Sequence, residues 1–276
     1  MLRIYFSLVV FFAPTVFSGE SAADIVRRSA LVDQQNGETA KNYTYVEREI
    51  ERKLDSAGHV RGAESKTYDT TVLYGRPFRR LIEKDGRPLS PGEQKKEQER
   101  FDREVEKRAH ESEKDRQRAI AEREKQRKEG RKFLREVADV YDFRIVGEEQ
   151  VSGRDTWVLA AEPKRDYKPQ SAEAKNLMKM HGRVWIAKDG YQWVKAEADV
   201  LDTVSWGLFV MRLSPGTHLE FEQERVNDEV WMPRRVVIRL NARLLFRKFD
   251  AEYESDWSNF RKFTSDSKLA GVGESN

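Results

Sequence analysis

The chain contains no cysteine. That absence excludes disulfides, thiolate chemistry and cysteine-bound structural zinc, and with them the lipid-modified N-terminal cysteine of a bacterial lipoprotein. Histidine is scarce: His59, His110, His181 and His218 are isolated, with no partner at metal-ligand spacing, and HExxH is absent. No serine stands in a GxSxG setting, and no group of glycines resembles a phosphate-cradling loop. Carboxylate pairs occur throughout a chain that is 36% charged, so their proximity in sequence marks no site. Positive charge is not segregated, because 51 basic residues are mixed with 48 acidic ones for a net charge of +3, and a nucleic-acid partner is not expected. No catalytic residue, metal or cofactor is assigned, and the protein is expected not to be an enzyme.

What is present begins with residues 1–23, which read as a secretory signal peptide. Arg3 supplies a positive start, and Ile4–Phe12 with Val16 and Phe17 supply an apolar stretch ahead of small residues. Cleavage fits after Ser18 or after Ala23. The stretch is shorter than the roughly 20 residues a bilayer needs and Pro14 interrupts it, so no stable membrane insertion is expected after cleavage. The mature protein is expected to be soluble and most readily periplasmic, held together by its core alone.

The last third of the chain alternates apolar and polar residues with a period of two. In residues 234–248, Val236, Ile238, Leu240, Ala242, Leu244 and Phe246 fall on one face, and Arg235, Arg239, Arg243 and Arg247 on the other, which predicts one long half-buried strand. Hairpins are predicted around Ser152-Gly153, Asp189-Gly190 and Asn227-Asp228, and further strands over 41–55, 65–74 and 77–84. A short helix spans 25–32 and stops before Asn36-Gly37, and another covers 171–180. Together these patterns predict an α+β protein with a large curved antiparallel β-sheet and covering helices, in a single domain over 24–263 followed by a flexible tail, 264–276.

Residues 93–132 differ in kind, being almost entirely Glu, Lys, Arg, Gln and Asp. Pairs such as Glu99 with Arg103 and Glu124 with Lys128 place an acid four residues before a base, which predicts one long charged inserted helix. It could form a lid, stand free, or remain disordered. Beyond Gly130, the residues Phe133, Leu134, Val137, Val140 and Tyr141 predict a helix docking by an apolar face.

One segment is apolar on both faces: Trp206, Leu208, Phe209, Val210, Met211 and Leu213. A strand of this kind is either covered on both sides or lines an apolar cavity. The cavity reading makes these six residues the candidate lipid-binding site.

The strand GRVWIAKDG, from Gly182, and the strand VNDEVWMPRRV, from Val226, resemble the outer-membrane lipoprotein-sorting (carrier) superfamily called LolA-like, with its RseB-type relatives. The order of elements over residues 24–263 resembles it too. The resemblance implies an unclosed half-barrel with helices over its opening, whose apolar interior holds a lipid or the acyl chains of a lipoprotein. A second reading, placed behind the first, makes the chain a periplasmic sensor or protein-interaction module whose charged helix reaches an envelope protein partner. That insertion departs from the superfamily's pattern, and no functional residue of the superfamily maps onto this chain one by one.

Overall fold

The computed structural model describes residues 20–206, 211–244 and 247–263. The segments 1–19, which hold most of the expected signal peptide, and 264–276, the expected tail, lie outside them. In chain order the elements are α1 (Ala22–Ala40), β1 (Tyr43–Leu54), β2 (Val60–Leu73), β3 (Arg76–Lys84), β4 (Arg87–Pro88), α2 (Pro91–Ala109), α3 (Glu113–Val140), β5 (Tyr141–Val151) and β6 (Arg154–Pro163). After these come α4 (Ala172–Leu177), β7 (Met180–Ala187), β8 (Trp193–Val200), β9 (Val204–Trp206), β10 (Met211–Leu213), β11 (His218–Val226), β12 (Val230–Leu244) and β13 (Arg247–Lys262).

All strands belong to one 13-stranded sheet, ordered β4-β3-β2-β1-β13-β12-β11-β8-β7-β6-β5, with β10 and β9 pairing outward from β12. Every pairing is antiparallel. The ends, β4 and β5, do not pair with each other, so the sheet is open and the α+β expectation holds. The hairpins turn where the sequence places them. Ser152-Gly153 (φ 52° and 76°) closes a two-residue hairpin between Val151 and Arg154, and Asn227-Asp228 (φ 51° and 54°) adopts a left-handed pair within the three-residue loop between Val226 and Val230.

Several expectations are corrected. α1 does not stop at Asn36-Gly37 but continues to Ala40, because the Asn36 side chain is bound to the backbone of Trp231 at the start of β12. The strand predicted over 234–248 ends at Leu244, which pairs with Arg247 across a reversal, although residues 244–247 contain no Gly, Asn or Pro. The single charged helix is two. Ser90 begins α2 with a capping box to Glu93 and Pro91 in the first turn, and Ser112 caps α3 through its bond from Asp115 N–H, so the chain restarts its helix after His110. α3 then runs through Gly130 to Val140, and Tyr141 opens β5 instead of closing the helix.

α2 is not a free helix, since it lies along β3 and satisfies backbone groups on that strand and at the β2–β3 turn. Glu97 accepts from Leu81 N–H (2.9 Å), Arg108 donates to the carbonyls of Leu73 and Arg76 (both 3.0 Å), and Arg100 donates to that of Arg79. Phe101 meets Phe78 edge-on. A bare strand edge invites pairing with other chains, and here side chains of α2 occupy it.

α3 joins the two ends of the sheet. Arg123 donates to the Gly75 carbonyl in the β2–β3 turn (3.4 Å), while Val137 packs with Tyr141, Ala161 and Leu177 beside β5 and β6. These anchors are about 21 Å apart along the helix, whereas seven inter-strand steps from β2 to β6 measure roughly 34 Å on a flat sheet. The sheet is therefore curved, with α1 and α3 on its concave side.

The opposite face carries an ionic ladder. Arg52 holds Glu252 and Glu254 (2.8 and 2.6 Å), Arg235 holds Glu254 (2.6 Å), and Arg239 holds Glu252 and Glu220 (2.8 and 3.4 Å). Burial would raise the Glu254 carboxyl, but hydrogen bonds from Arg52 and Arg235 outweigh it and hold the group below the ordinary glutamate range. The arginines at alternate positions of β12 are thus the solvent side of the sheet, as their period of two predicts.

Candidate ligand-binding face

Residues paired directly across neighbouring strands point to the same face, so the register defines rows running across the concavity. One row reads Leu159, Val184, Ala196, Phe221, Val236, Ser255, Glu49, Lys66 from β6 to β2. The next reads Ala161, Gly182, Ala198, Leu219, Ile238, Tyr253, Glu51, Glu64. Both are apolar from β6 to β12 and polar from β1 onward. Gly182 is required in its row: a Cβ there would stand 2.1 Å from the Glu197 carbonyl oxygen.

Two elements delimit this face. α1 lies over one end of the strands, where Ile25 and Val26 bury Leu159, Val184 and Ile186. The β9–β10 pair, an extension of the sheet beside β12, bounds the other end, where Val204 and Leu213 pack with Val200 and Ala242, and Leu240 and Phe249 border them. Between these elements Leu219, Phe221, Val236 and Ile238 are only half-buried, and Tyr253 is 37% exposed. Four large apolar side chains therefore form a lane that the chain's own elements leave incompletely covered. At its polar end Glu49, Glu51, Glu64, Lys66, Tyr253 and Ser255 border a depression of about 240 Å³. Tyr253 donates to Glu51 (3.2 Å) and Arg79 holds Glu49 (2.6 Å).

The contact between α1 and the sheet is partly polar. Gln192, 1% exposed, reaches Asp33 and Gln223 only at 3.4 Å, while its own Oε1 and the buried Ser29 hydroxyl have no hydrogen-bond partner. Burial pushes the Asp33 carboxyl above its ordinary range, and the bond from Gln192 offsets part of that. Unpaired buried polar groups cost stability, so α1 is held less firmly than its apolar first half alone would suggest.

The six residues expected to bind lipid do not form one strand. Trp206 and Met211 are antiparallel partners in β9 and β10, and Leu208, Phe209 and Val210 lie outside the described residues. Leu213 is buried in the β9–β10 pair at the edge of the lane. The lane itself comes from segments in which the sequence showed only alternation, HLEFEQ and RVVIRL. Their period of two identified the apolar face, but nothing local says whether a helix covers it.

Among the described residues no three His, Asp or Glu side chains are placed to hold a metal ion. His181 and His218 lie on the convex face near Asp199, with His218 bonded to it at 2.7 Å.

The sequence matches no family model, and no curated protein is significantly similar to it. Solved structures similar to the chain include a DUF1329 family protein from Desulfovibrio piger, with 15% identity and a TM-score of 0.31 over 91% of this chain and 98% of that one. A LolA superfamily protein from Nitrosomonas europaea has 10% identity and a TM-score of 0.30 over 91% and 98%. The Pseudomonas aeruginosa MucA/MucB complex has 12% identity and a TM-score of 0.25 over 88% and 99%. At these values the likeness assigns neither ligand nor partner to this chain.

Proposed function

We propose that this chain is an exported, non-enzymatic binding protein that holds an acyl chain, of a lipid or of a lipoprotein, along the concave lane. The observation that carries the reading is the set of half-buried side chains Leu219, Phe221, Val236 and Ile238, flanked by α1 and the β9–β10 pair and ending among charged residues. An amphiphile fits such a gradient, with its chain against the apolar rows and its head toward Glu49, Glu51, Glu64 and Lys66. Shielding matters because each methylene in water costs about 0.8 kcal/mol, on the order of 12 kcal/mol for a sixteen-carbon chain. The underpacked polar contact beneath α1 supports this helix as the element that yields on loading. The strands GRVWI and VNDEVWMPRRV, which resemble the lipoprotein-sorting superfamily, point the same way.

Titration with a fluorescent lipid carrying a sixteen-carbon chain and a zwitterionic headgroup tests the reading. The wild type should saturate near one probe per chain, and Phe221→Glu/Ile238→Glu, with unchanged circular dichroism, should lose most of that binding. Equal binding by the folded variant would remove the lane as the site.

A further inference from the structure

The two ends of the sheet are treated differently. The β3 edge is occupied by Glu97 and Arg100 of α2, whereas β5 has a neighbour on one side only. Lys164 N–H donates to the Val140 carbonyl (2.9 Å), which fixes the alternation of β5. The backbones of Asp142 and Arg144 thus face β6, and those of Phe143 and Ile145 face outward. Beyond the bulge at Val146, the two-residue Ser152-Gly153 turn sets Glu148 and Gln150 outward. Among the described residues, these outward N–H and C=O groups meet no hydrogen-bond partner. Ile145 and Val146 are 41% and 51% exposed beside them.

We propose that the β5 edge is a self-association surface, on which a second copy of this chain pairs antiparallel about a two-fold axis at the bulge. The charges identify the occupant. In a two-fold pairing centred between Val146 and Gly147, Arg144 of one copy lies opposite Glu149 of the other, and the symmetry repeats the contact. Both side chains belong to the convex face: Arg144 aligns through Ala160 with Arg183, and Glu149 accepts from the Trp185 indole N–H on that side (2.8 Å). Charges and a bulge ordinarily protect an edge from unwanted strands. Here they have opposite signs on the two sides of the bulge, so they repel a like-charged foreign strand and match a copy of themselves. The pairing joins two sheets and leaves both concave lanes open.

Sedimentation equilibrium of the purified protein from about 1 µM to 1 mM tests this. A reversible monomer–dimer equilibrium is expected. Ile145→Pro removes an outward N–H that β6 does not use and should leave a folded monomer. Arg144→Glu should raise the dissociation constant about tenfold through two like-charge contacts, and Arg144→Glu/Glu149→Arg should restore most of it. A wild-type protein that stays monomeric throughout, or a dimer indifferent to both Ile145→Pro and Arg144→Glu, would overturn the proposal.

Discussion

The Asn36 carboxamide and the backbone of Trp231 exchange two hydrogen bonds: Oδ1 accepts from the Trp231 N–H at 2.7 Å, and Nδ2 donates to its carbonyl at 2.8 Å. The pair fastens the last turns of α1 to the first residues of β12, 195 residues away in sequence. It carries much of the attachment of the helix there, because the next polar contact along α1 is the long 3.4 Å bond from Gln192 to Asp33. Asn36→Ala leaves two half-buried backbone groups unpaired and should cost about 1–3 kcal/mol in chemical denaturation. It should also speed amide exchange in α1 more than in β7 and β8. A change below a few tenths of a kcal/mol would show that the apolar half of α1 suffices.

Asp33 makes the same helix sensitive to pH in a definite direction. Its carboxyl is raised by burial, so its contribution to stability is fully present below the unfolded carboxylate value and is lost as pH rises through the folded one. At pH 7 the charged form is therefore a burden on α1, and Asp33→Asn should raise the unfolding midpoint there. The advantage should vanish near pH 3. A variant less stable than wild type at pH 7 would mean that Asp33 has a compensating partner when ionised.

Glu97 has the opposite sign. Burial alone would raise its carboxyl, but the hydrogen bonds from Arg100 and Leu81 N–H prevail and hold it low. Its contribution is present above the unfolded carboxylate value and lost as pH falls through the depressed folded one. Glu97→Ala should cost about 1–3 kcal/mol at pH 7 by leaving the Leu81 N–H unpaired on the β3 edge. The difference from wild type should shrink below about pH 4, as the wild-type carboxyl itself becomes protonated. A pH-independent difference would assign the loss to packing.

If export removes a signal peptide as proposed, the contacts at the start of α1 favour one of the two expected cleavage positions. Glu20 accepts from the Tyr191 hydroxyl (2.7 Å) and pairs with Arg28 (3.0 Å), and Ser21 caps the helix through Asp24 N–H. Cleavage after Ser18 keeps both residues, whereas cleavage after Ala23 removes them together with Ala22, which packs on the core under the helix. The intact mass of exported protein should correspond to a chain beginning at Gly19. A chain beginning at Asp24 would contradict that.

Local chemistry made much of the fold legible. Ser152-Gly153 and Asn227-Asp228 are turns because their backbones tolerate positive φ, and the arginines of β12 alternate because one face meets solvent. The misread boundaries were decided by distant partners. Asn36-Gly37 looks like a helix stop until Trp231 occupies the carboxamide, and the alternation that continues past Leu244 hides that Leu244 pairs with Arg247 in the next strand. Ser112 with Asp115 is a cap signal hidden among charges. Strand order was not legible, since β1 lying beside β13 depends on pairings some 200 residues apart. The lane was missed for a related reason: alternation marks Phe221 and Ile238 as apolar-facing, but only the positions of α1 and the β9–β10 pair leave them half-covered.

The most direct measurement of the central claim is native mass spectrometry of the protein expressed from its full-length sequence and purified without detergent, followed by organic extraction. Binding in the lane predicts about one acyl-bearing molecule per chain in wild type and its loss in the folded Phe221→Glu/Ile238→Glu variant. A clean unliganded wild-type mass, with no extractable lipid, would contradict the account.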